Sequence, residues 1–410
     1  MTVAKVARNV GWLALGELGI KGGVVVAVII IGRELGPSAV GVFSVAYAAA
    51  LVAVLGLALG QQEVLIREVA RAPGSARRLL EISSGLQRGV GRFALPATCV
   101  AASLVPGHEL RLALLAFVPY AFLRTATVTA GAAFKGLDRM DYESMARGLE
   151  VLVALVLIVL ATAAGWPVWT AGVAFSIGSV SGLAWLLGRR KLLRDDGCEV
   201  SRSMMLREGL PFMALAVTAQ LVNSSGRFLL VGFGVGLAEI GYLGAAGTVV
   251  WAMVTIPQLV AVAAYPTISR MAEVRSSPRS VGLSAAAVGI GGGLVAAMVL
   301  RLLGAPLMTV AFGPEFLAGV PLLERLSLAL PGAFAAMTTG SVFAAWRMQR
   351  RTMVLYLVAL TIGVAVNVAM IPAEGAMAAA TAAAVAYSSL AVMLVALLFV
   401  RPPAGGQPSL

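Results

Sequence analysis

Long apolar runs alternate with short polar connections along the whole chain, and each run has the length of a bilayer crossing. A helix needs about 20 residues to span the hydrocarbon core, and stretches of roughly 18 or more predominantly apolar residues recur from end to end. Their positions predict twelve transmembrane helices: 10–32, 38–60, 84–105, 110–132, 148–164, 167–188, 209–232, 238–262, 281–303, 319–345, 353–371 and 376–400. No small-residue cleavage site follows the first run, which also carries two charges, so it is read as a retained span and not a signal peptide. Pro119, Pro257 and Pro331 fall inside spans and predict kinks, because each removes an amide donor.

Composition strengthens this reading. The 410 residues are 60% hydrophobic and 12% charged, against about a quarter charged in a soluble domain. The fold class is therefore all-α integral membrane protein. A net charge of +12 would raise the question of nucleic acid in a soluble chain, but here the basic residues sort by loop and no nucleic-acid partner is expected. They cluster at Lys5 and Arg8; Arg67, Arg71, Arg77 and Arg78; Lys135, Arg139 and Arg147; Arg189 to Lys191, Arg194, Arg202 and Arg207; Arg270, Arg275 and Arg279; Arg347, Arg350 and Arg351; and Arg401. The intervening connections "LVPGHE", "AAGWPV", "GAPLMTVAFGPEFL" and "PAEG" hold no Lys or Arg. Basic loops stay on the cytoplasmic side, which predicts a multi-pass inner-membrane protein with both termini in the cytoplasm. Cys99 and Cys198 make no disulfide framework. The single histidine, His108 in the outer turn "PGHEL", has no second ligand near it, so no metal or cofactor is expected.

The chain also repeats itself. The polar stretch "GRRKLLRDDGCEVSRSMMLREG" at 188–209 separates six spans from six. This predicts an N-terminal lobe at 1–190, a cytoplasmic linker at 191–208, a C-terminal lobe at 209–401 and a cytoplasmic tail at 402–410. At an offset of 200, Gly32, Gly36, Gly41 and Ala46 match Gly232, Gly236, Gly241 and Ala246. "AGAAFKGLDRMDYESM" (130–145) and "TGSVFAAWRMQRRTMV" (339–354) each place a Phe and then an Arg-Met pair after the fourth span of a half. Six spans per copy is an even number, so the copies share an orientation and a substrate path is expected between them.

An ionisable group inside a span costs about 2.5 kcal/mol or more on insertion scales, so it faces a cavity or a partner. Glu17 and Lys21 in "GELGIKGG" are four apart with the acid first, the favourable order on one helix face. They either neutralise each other or open onto a wet cavity. Lys21 is too near the middle of its span to snorkel. Arg124 in "YAFLRTATV" is roughly 16 Å of helix from Lys135, with no acidic residue within a turn. Arg227 in "VNSSGRFLL" lies in the outer half of the seventh span beside Asn223, Ser224 and Ser225. Arg33, Arg111 and Arg301 stand at external span ends, where snorkelling accounts for them. Trp12, Tyr47, Trp251 and Tyr265 are assigned to interfacial belts rather than to sugar stacking. Deep cations outnumber deep acids on this count, so a path lined by them suits an anionic substrate.

"GRELGPSAVGVFSVAYAAALVAVLGLALGQQEVLIREVAR" (32–71) resembles the R-x-LGP-x-x-x-G-x-(F/Y)-S stretch and following basic loop of bacterial polysaccharide-unit flippases. These belong to the multidrug/oligosaccharidyl-lipid/polysaccharide exporter superfamily. "AFKGLDRMDY", "VGFGVGLAEIGYLGAAGTVV" through "AYPTISRM", and "NVAMIPAEGAMAAATAAA" follow in the family's order, so the resemblance covers nearly the full length. It implies a V-shaped pair of six-helix lobes that moves undecaprenyl- or similar polyprenyl-diphosphate-linked oligosaccharide to the outer leaflet by alternating access, as a monomer. Polymerase and glycosyltransferases are the implied partners besides membrane lipids. The diphosphate would meet Lys21, Arg124 and Arg227, with Arg33 at the outer end, and Glu17 would serve charge pairing or coupling. One departure is Gly226, where family members often have an acidic residue before the position of Arg227.

Two other classes fit less well. A multidrug exporter of the same superfamily, driven by sodium or protons, calls for unpaired carboxylates in the lobes, and few are visible. A membrane enzyme such as a polymerase needs acid and base groups at an external site, and the longest external connection, 304–318, holds only Glu315.

Overall fold

A computed structural model describes residues 3–195, 200–261, 268, 278–346 and 348–400. Cys198, Tyr265, most of "AYPTISRM", Arg270, Arg275, Arg347 and the tail from Arg401 lie outside the described residues. The rest is α-helix joined by short turns, with no strand among the described residues. The helices are α1 (Val3–Ala58), α2 (Gln61–Arg71), α3 (Ala76–Ser103), α4 (His108–Gly136), α5 (Met140–Ala163), α6 (Thr170–Leu187), α7 (Arg202–Gly232), α8 (Leu237–Met253), α9 (Pro278–Phe312), α10 (Val320–Ser327), α11 (Leu330–Ala345), α12 (Gln349–Glu374) and α13 (Ala376–Leu397).

The first two predicted spans are the arms of α1. They meet at Gly36, where φ is 79° and ψ is −177°, a conformation that residues with a Cβ adopt only under strain. Pro37 follows, its missing amide harmless at the start of the second arm. The tenth span is broken: 314–327 and α11 meet at 47°, next to Pro331. Nine helices among the described residues are long and apolar enough to cross a membrane, and this bent pair makes ten. The two arms of α1 count there as one helix, and α3, the predicted third span, is not among those apolar enough to cross. α3 differs from its prediction, because the span reading passed over the exposed Arg88 and Arg92. The predicted linker is also partly helix: α7 starts at Arg202, and Met205 is fully buried against residues of the first half.

The repeat is visible in three dimensions. Phe134 and Phe343 are each 1% exposed, and each carbonyl accepts from the amide five residues on, Arg139 and Met348, at 2.9 Å in both cases. The two halves therefore turn from their fourth to their fifth span in the same way. Gly41 and Gly241, matched by the sequence repeat, touch across the halves. A Cβ on Gly41 would stand 2.0 Å from the Leu237 carbonyl oxygen, and one on Gly241 would stand 1.8 Å from that of Pro37. The break between the first two spans is not copied at Gly236, whose φ is −61°; the positive φ falls at Gly234, at 75°.

The halves touch again at the face bearing the basic connections. A Cβ on Gly60, where φ is 62°, would be 2.0 Å from the Gly209 carbonyl oxygen. Gln61 Nε2 donates to the Met205 carbonyl at 3.0 Å, and Arg67 pairs with Glu208. Helices in a membrane associate through close packing of small residues, since lipid tails give no apolar driving force between them. These glycine contacts are where the two halves meet.

Gly241→Ala is expected to lower stability by about 1–3 kcal/mol through forced backbone shifts. Gly340→Ala, whose Cβ would meet nothing within 4 Å, should be neutral. Superimposable thermal unfolding curves for the two variants would contradict the interlobe contact.

Candidate functional site

α5 organises the charges of the first half. Gly178 and Gly182 on α6 let that helix lie against α5: a Cβ on Gly178 would be 2.4 Å from the Glu150 carbonyl oxygen. Ser179 Oγ thereby donates to Glu150 Oε1 at 2.9 Å, while Arg124 Nη1 on α4 reaches Glu150 Oε2 at 2.5 Å. Arg124 is 9% exposed and Glu150 3%. Arg124 is therefore a neutralised group and not the unpaired cation the sequence implied. Its partner lies 26 residues away on another helix, where no i,i+4 rule looks. Around it, the rings of Phe43, Tyr47, Phe117, Tyr120 and Phe175 pack with centroids 5.4 to 6.1 Å apart. Tyr47 thus belongs to an intralobe cluster and not to an interfacial belt.

A second chain of charges runs toward the basic face. Arg147 Nη1 pairs with Glu17, Arg147 Nε with Glu143, and Lys135 Nζ with Glu143 at 3.0 Å. Arg147, counted from sequence among loop residues, is 8% exposed. Glu17 reaches it because Gly16 and Gly23 seat the first arm of α1 on α5: a Cβ on Gly16 would be 3.0 Å from Ser144 Oγ, and one on Gly23 would strike Val151. Of the two readings open from the sequence, mutual neutralisation of Glu17 and Lys21 is not the one seen, since no ion pair joins them. Instead, Lys21 Nζ donates to the amide oxygen of Gln258, in the second half, and it has no ion pair among the described residues. Glu143 and Glu150 are the acids the sequence reading missed; each sits three or four residues from Arg147 on one face of α5, which was the available signal.

Arg33 is engaged elsewhere. Its Nε donates to the Ala311 carbonyl at 2.8 Å and its Nη2 to that of Val310, so it caps the C-terminal end of α9, where a cation meets the negative end of the helix dipole. Arg227 faces a small cavity inside the second half, lined also by Asn223, Ser225, Trp251 and Asn367. Trp251 is thus another interior residue and not part of a belt.

Two larger cavities flank these groups. One of about 320 Å³ is almost wholly apolar, walled by Ala49, Ala53, Leu114 and Phe117 of the first half and Phe228 and Val231 of the second. Another, of about 270 Å³, lies toward the basic face, where Glu63 of α2 meets Phe212, Ala216, Thr352 and Tyr356. The apolar surroundings of Glu63 push its carboxyl up from its ordinary value. No group of His, Cys, Asp and Glu among the described residues is arranged to hold a metal.

The geometry is that of a duplicated all-α membrane bundle, with glycine contacts at both faces and a charged side chain crossing the seam of its halves. The chain belongs to the polysaccharide biosynthesis protein family, whose model matches residues 6–272. Its fold is that of the multidrug/oligosaccharidyl-lipid/polysaccharide exporter superfamily. It is similar to an inward-facing multidrug resistance MATE family transporter of that superfamily (TM-score 0.75, 16% identity, 94% of this chain and 97% of that one). It is also similar to the lipid II flippase MurJ in an inward closed conformation (TM-score 0.72, 13% identity, 97% and 87% coverage). The MATE multidrug transporter DinF-BH resembles it as well (TM-score 0.72, 15% identity, 97% and 95% coverage). Among curated proteins no sequence matches it.

Removing one partner of a buried ion pair costs about 3–5 kcal/mol, because the other charge is left uncompensated. Arg124→Gln and Glu150→Gln are each expected to destabilise by that order, and Arg124→Gln/Glu150→Gln by clearly less than their sum. Additive losses in a thermal-unfolding cycle would show that the two side chains do not depend on each other.

Proposed function

We propose that the chain is a flippase carrying a polyprenyl (undecaprenyl) diphosphate-linked oligosaccharide from the cytoplasmic to the outer leaflet, for cell-surface polysaccharide synthesis. The observation that carries this reading is Lys21: a mid-span ammonium at the seam of the halves, held by the neutral amide oxygen of Gln258. An anionic oxygen adds to this bond a charge–charge attraction that a neutral amide oxygen does not supply, so a phosphate oxygen displaces the amide. The family description supports a role in polysaccharide synthesis, and the apolar cavity beside the seam offers the polyprenyl tail a wall of its own kind.

The basic face is then the cytoplasmic one. With the cytoplasm negative, each negative charge carried outward gains about 2.3 kcal/mol per 100 mV. Arg124 is withdrawn from the substrate path by its pairing with Glu150, and Arg33 by its role as a helix cap. Arg227 opens on a cavity of about 30 Å³, where a single water takes about 10–15 Å³; a diphosphate does not fit there. In this conformation Glu17 is held by Arg147, so no part in resetting Lys21 is proposed for it. Glycosyltransferases and a polymerase remain the proposed partners of a monomeric carrier. The alternative of a multidrug exporter needs a free carboxylate for its coupling ion or cationic drug: Glu17, Glu143 and Glu150 are each held by a cation, which leaves Glu63, on the cavity of about 270 Å³, as the group that would serve it.

Lys21→Gln at normal protein levels is expected to raise cytoplasmic-leaflet lipid-linked oligosaccharide by about tenfold, the value of one charged hydrogen bond. The pair-removing Arg124→Gln/Glu150→Gln should keep most of its transport. Unchanged transport in Lys21→Gln, or its loss only in the Arg124→Gln/Glu150→Gln protein, would overturn the assignment.

A further inference from the structure

The Arg227 cavity has a composition that transport of a large lipid-linked sugar does not explain. It lies within the second half, between α7, α8, α10, α12 and α13. The guanidinium has no hydrogen bond and no ion pair among the described residues, and no charged neighbour acts on it. No carboxylate lines the space. A cation in that position costs several kcal/mol unless something compensates it.

The walls supply donors. A Cβ on Gly247 would lie 3.0 Å from Arg227 Nη2 and 3.7 Å from the indole nitrogen of Trp251, so both groups crowd one point. Ser225, which carries a hydroxyl, is also among the lining residues. An indole N–H is a donor only, and a guanidinium has five donors and no acceptor. The Asn223 Oδ1 is already engaged, accepting from the Tyr387 hydroxyl at 2.5 Å. The exception is Asn367, 2% exposed, whose Nδ2 donates to the Gly363 carbonyl at 2.8 Å while its Oδ1 is buried without a donor.

We propose that this cavity binds a monatomic halide, chloride under physiological conditions, together with one water. The halide accepts from Arg227, Trp251 and Ser225. The water donates one hydrogen to the halide and the other to Asn367 Oδ1, which gives the orphaned oxygen its partner. A water needs about 10–15 Å³, so the space of about 30 Å³ leaves room for one monatomic ion beside it and is tight for the four oxygens of phosphate or sulfate. The bound ion would tie α7 to α8, and through the water to α12. This site stands whether or not the transported molecule is a lipid-linked sugar.

The test is an anion titration of the purified protein, moved from sodium gluconate into chloride or bromide at constant ionic strength and followed by thermal unfolding. A saturable rise in melting temperature with chloride and bromide is expected, with none from phosphate or sulfate. Arg227→Gln should weaken the halide by at least about tenfold, the value of a charged hydrogen bond. Trp251→Phe, which keeps the ring and removes the donor, should weaken it by less. An equal response to every anion, or an unchanged halide response in Arg227→Gln, would overturn the site. Should Arg227→Gln not fold, crystals of the unaltered protein grown in bromide decide: an anomalous peak between Arg227 and Trp251 supports the site, and its absence at saturating bromide refutes it.

Discussion

A charge taken out of water loses hydration worth several kcal/mol even after its surroundings relax, and the interior of this bundle offers no bulk water in return. Much of the arrangement of the first half follows from that cost. Glu143, Arg147 and Glu150 project from α5 into the bundle, and each neighbouring helix answers with a partner: Arg124 and Lys135 from α4, Glu17 from α1, Ser179 from α6. The glycines of α1 and α6 that face α5 bring those partners within reach. Small residues and charges are therefore parts of one device. Close backbone approach permits the ion pairs, and the ion pairs fix which helices approach.

The second half solves the same problem differently. It has no counterpart of the α5 network among the described residues, and its deep cation, Arg227, faces a cavity lined by donors. The halves share an ancestral turn, seen in the matching bonds at Phe134 and Phe343, yet they have diverged in how they carry charge. One is internally neutralised and rigid around its ion pairs. The other leaves its cation facing a space sized for small species.

Between them the seam is made of contacts that a moving carrier can break. Backbone against backbone at Gly41 and Gly241, and again at Gly60 and Gly209, gives tight but mostly non-polar contact, and Lys21 crosses the gap to a neutral amide. No interlobe contact among these has the strength of the buried pairs inside the first half. Arg67–Glu208, at the basic face, is partly solvent-exposed, and such pairs contribute little. The proposed alternating access would draw on this difference, with strong contacts inside the first half and weaker ones along the seam.

The sequence alone determined the all-helical membrane class, the placement of most spans, the duplication and the family, because hydrophobic length and local repeats are properties of contiguous residues; α3, with its exposed Arg88 and Arg92, is the span it misjudged. Even the glycine pair 41 and 241 was legible as a repeat before it was seen as a contact. Which cations are free was not legible. Lys21 and Glu17 are one helical turn apart and Arg124 has no acid within a turn, so local spacing named the wrong pair and missed the right one. Partner choice was decided by helices that meet only in the folded bundle: Arg147 captures Glu17 from 130 residues away and Glu150 captures Arg124 across 26. Coulomb interaction in a low dielectric depends on distance in space, and tertiary packing sets that distance.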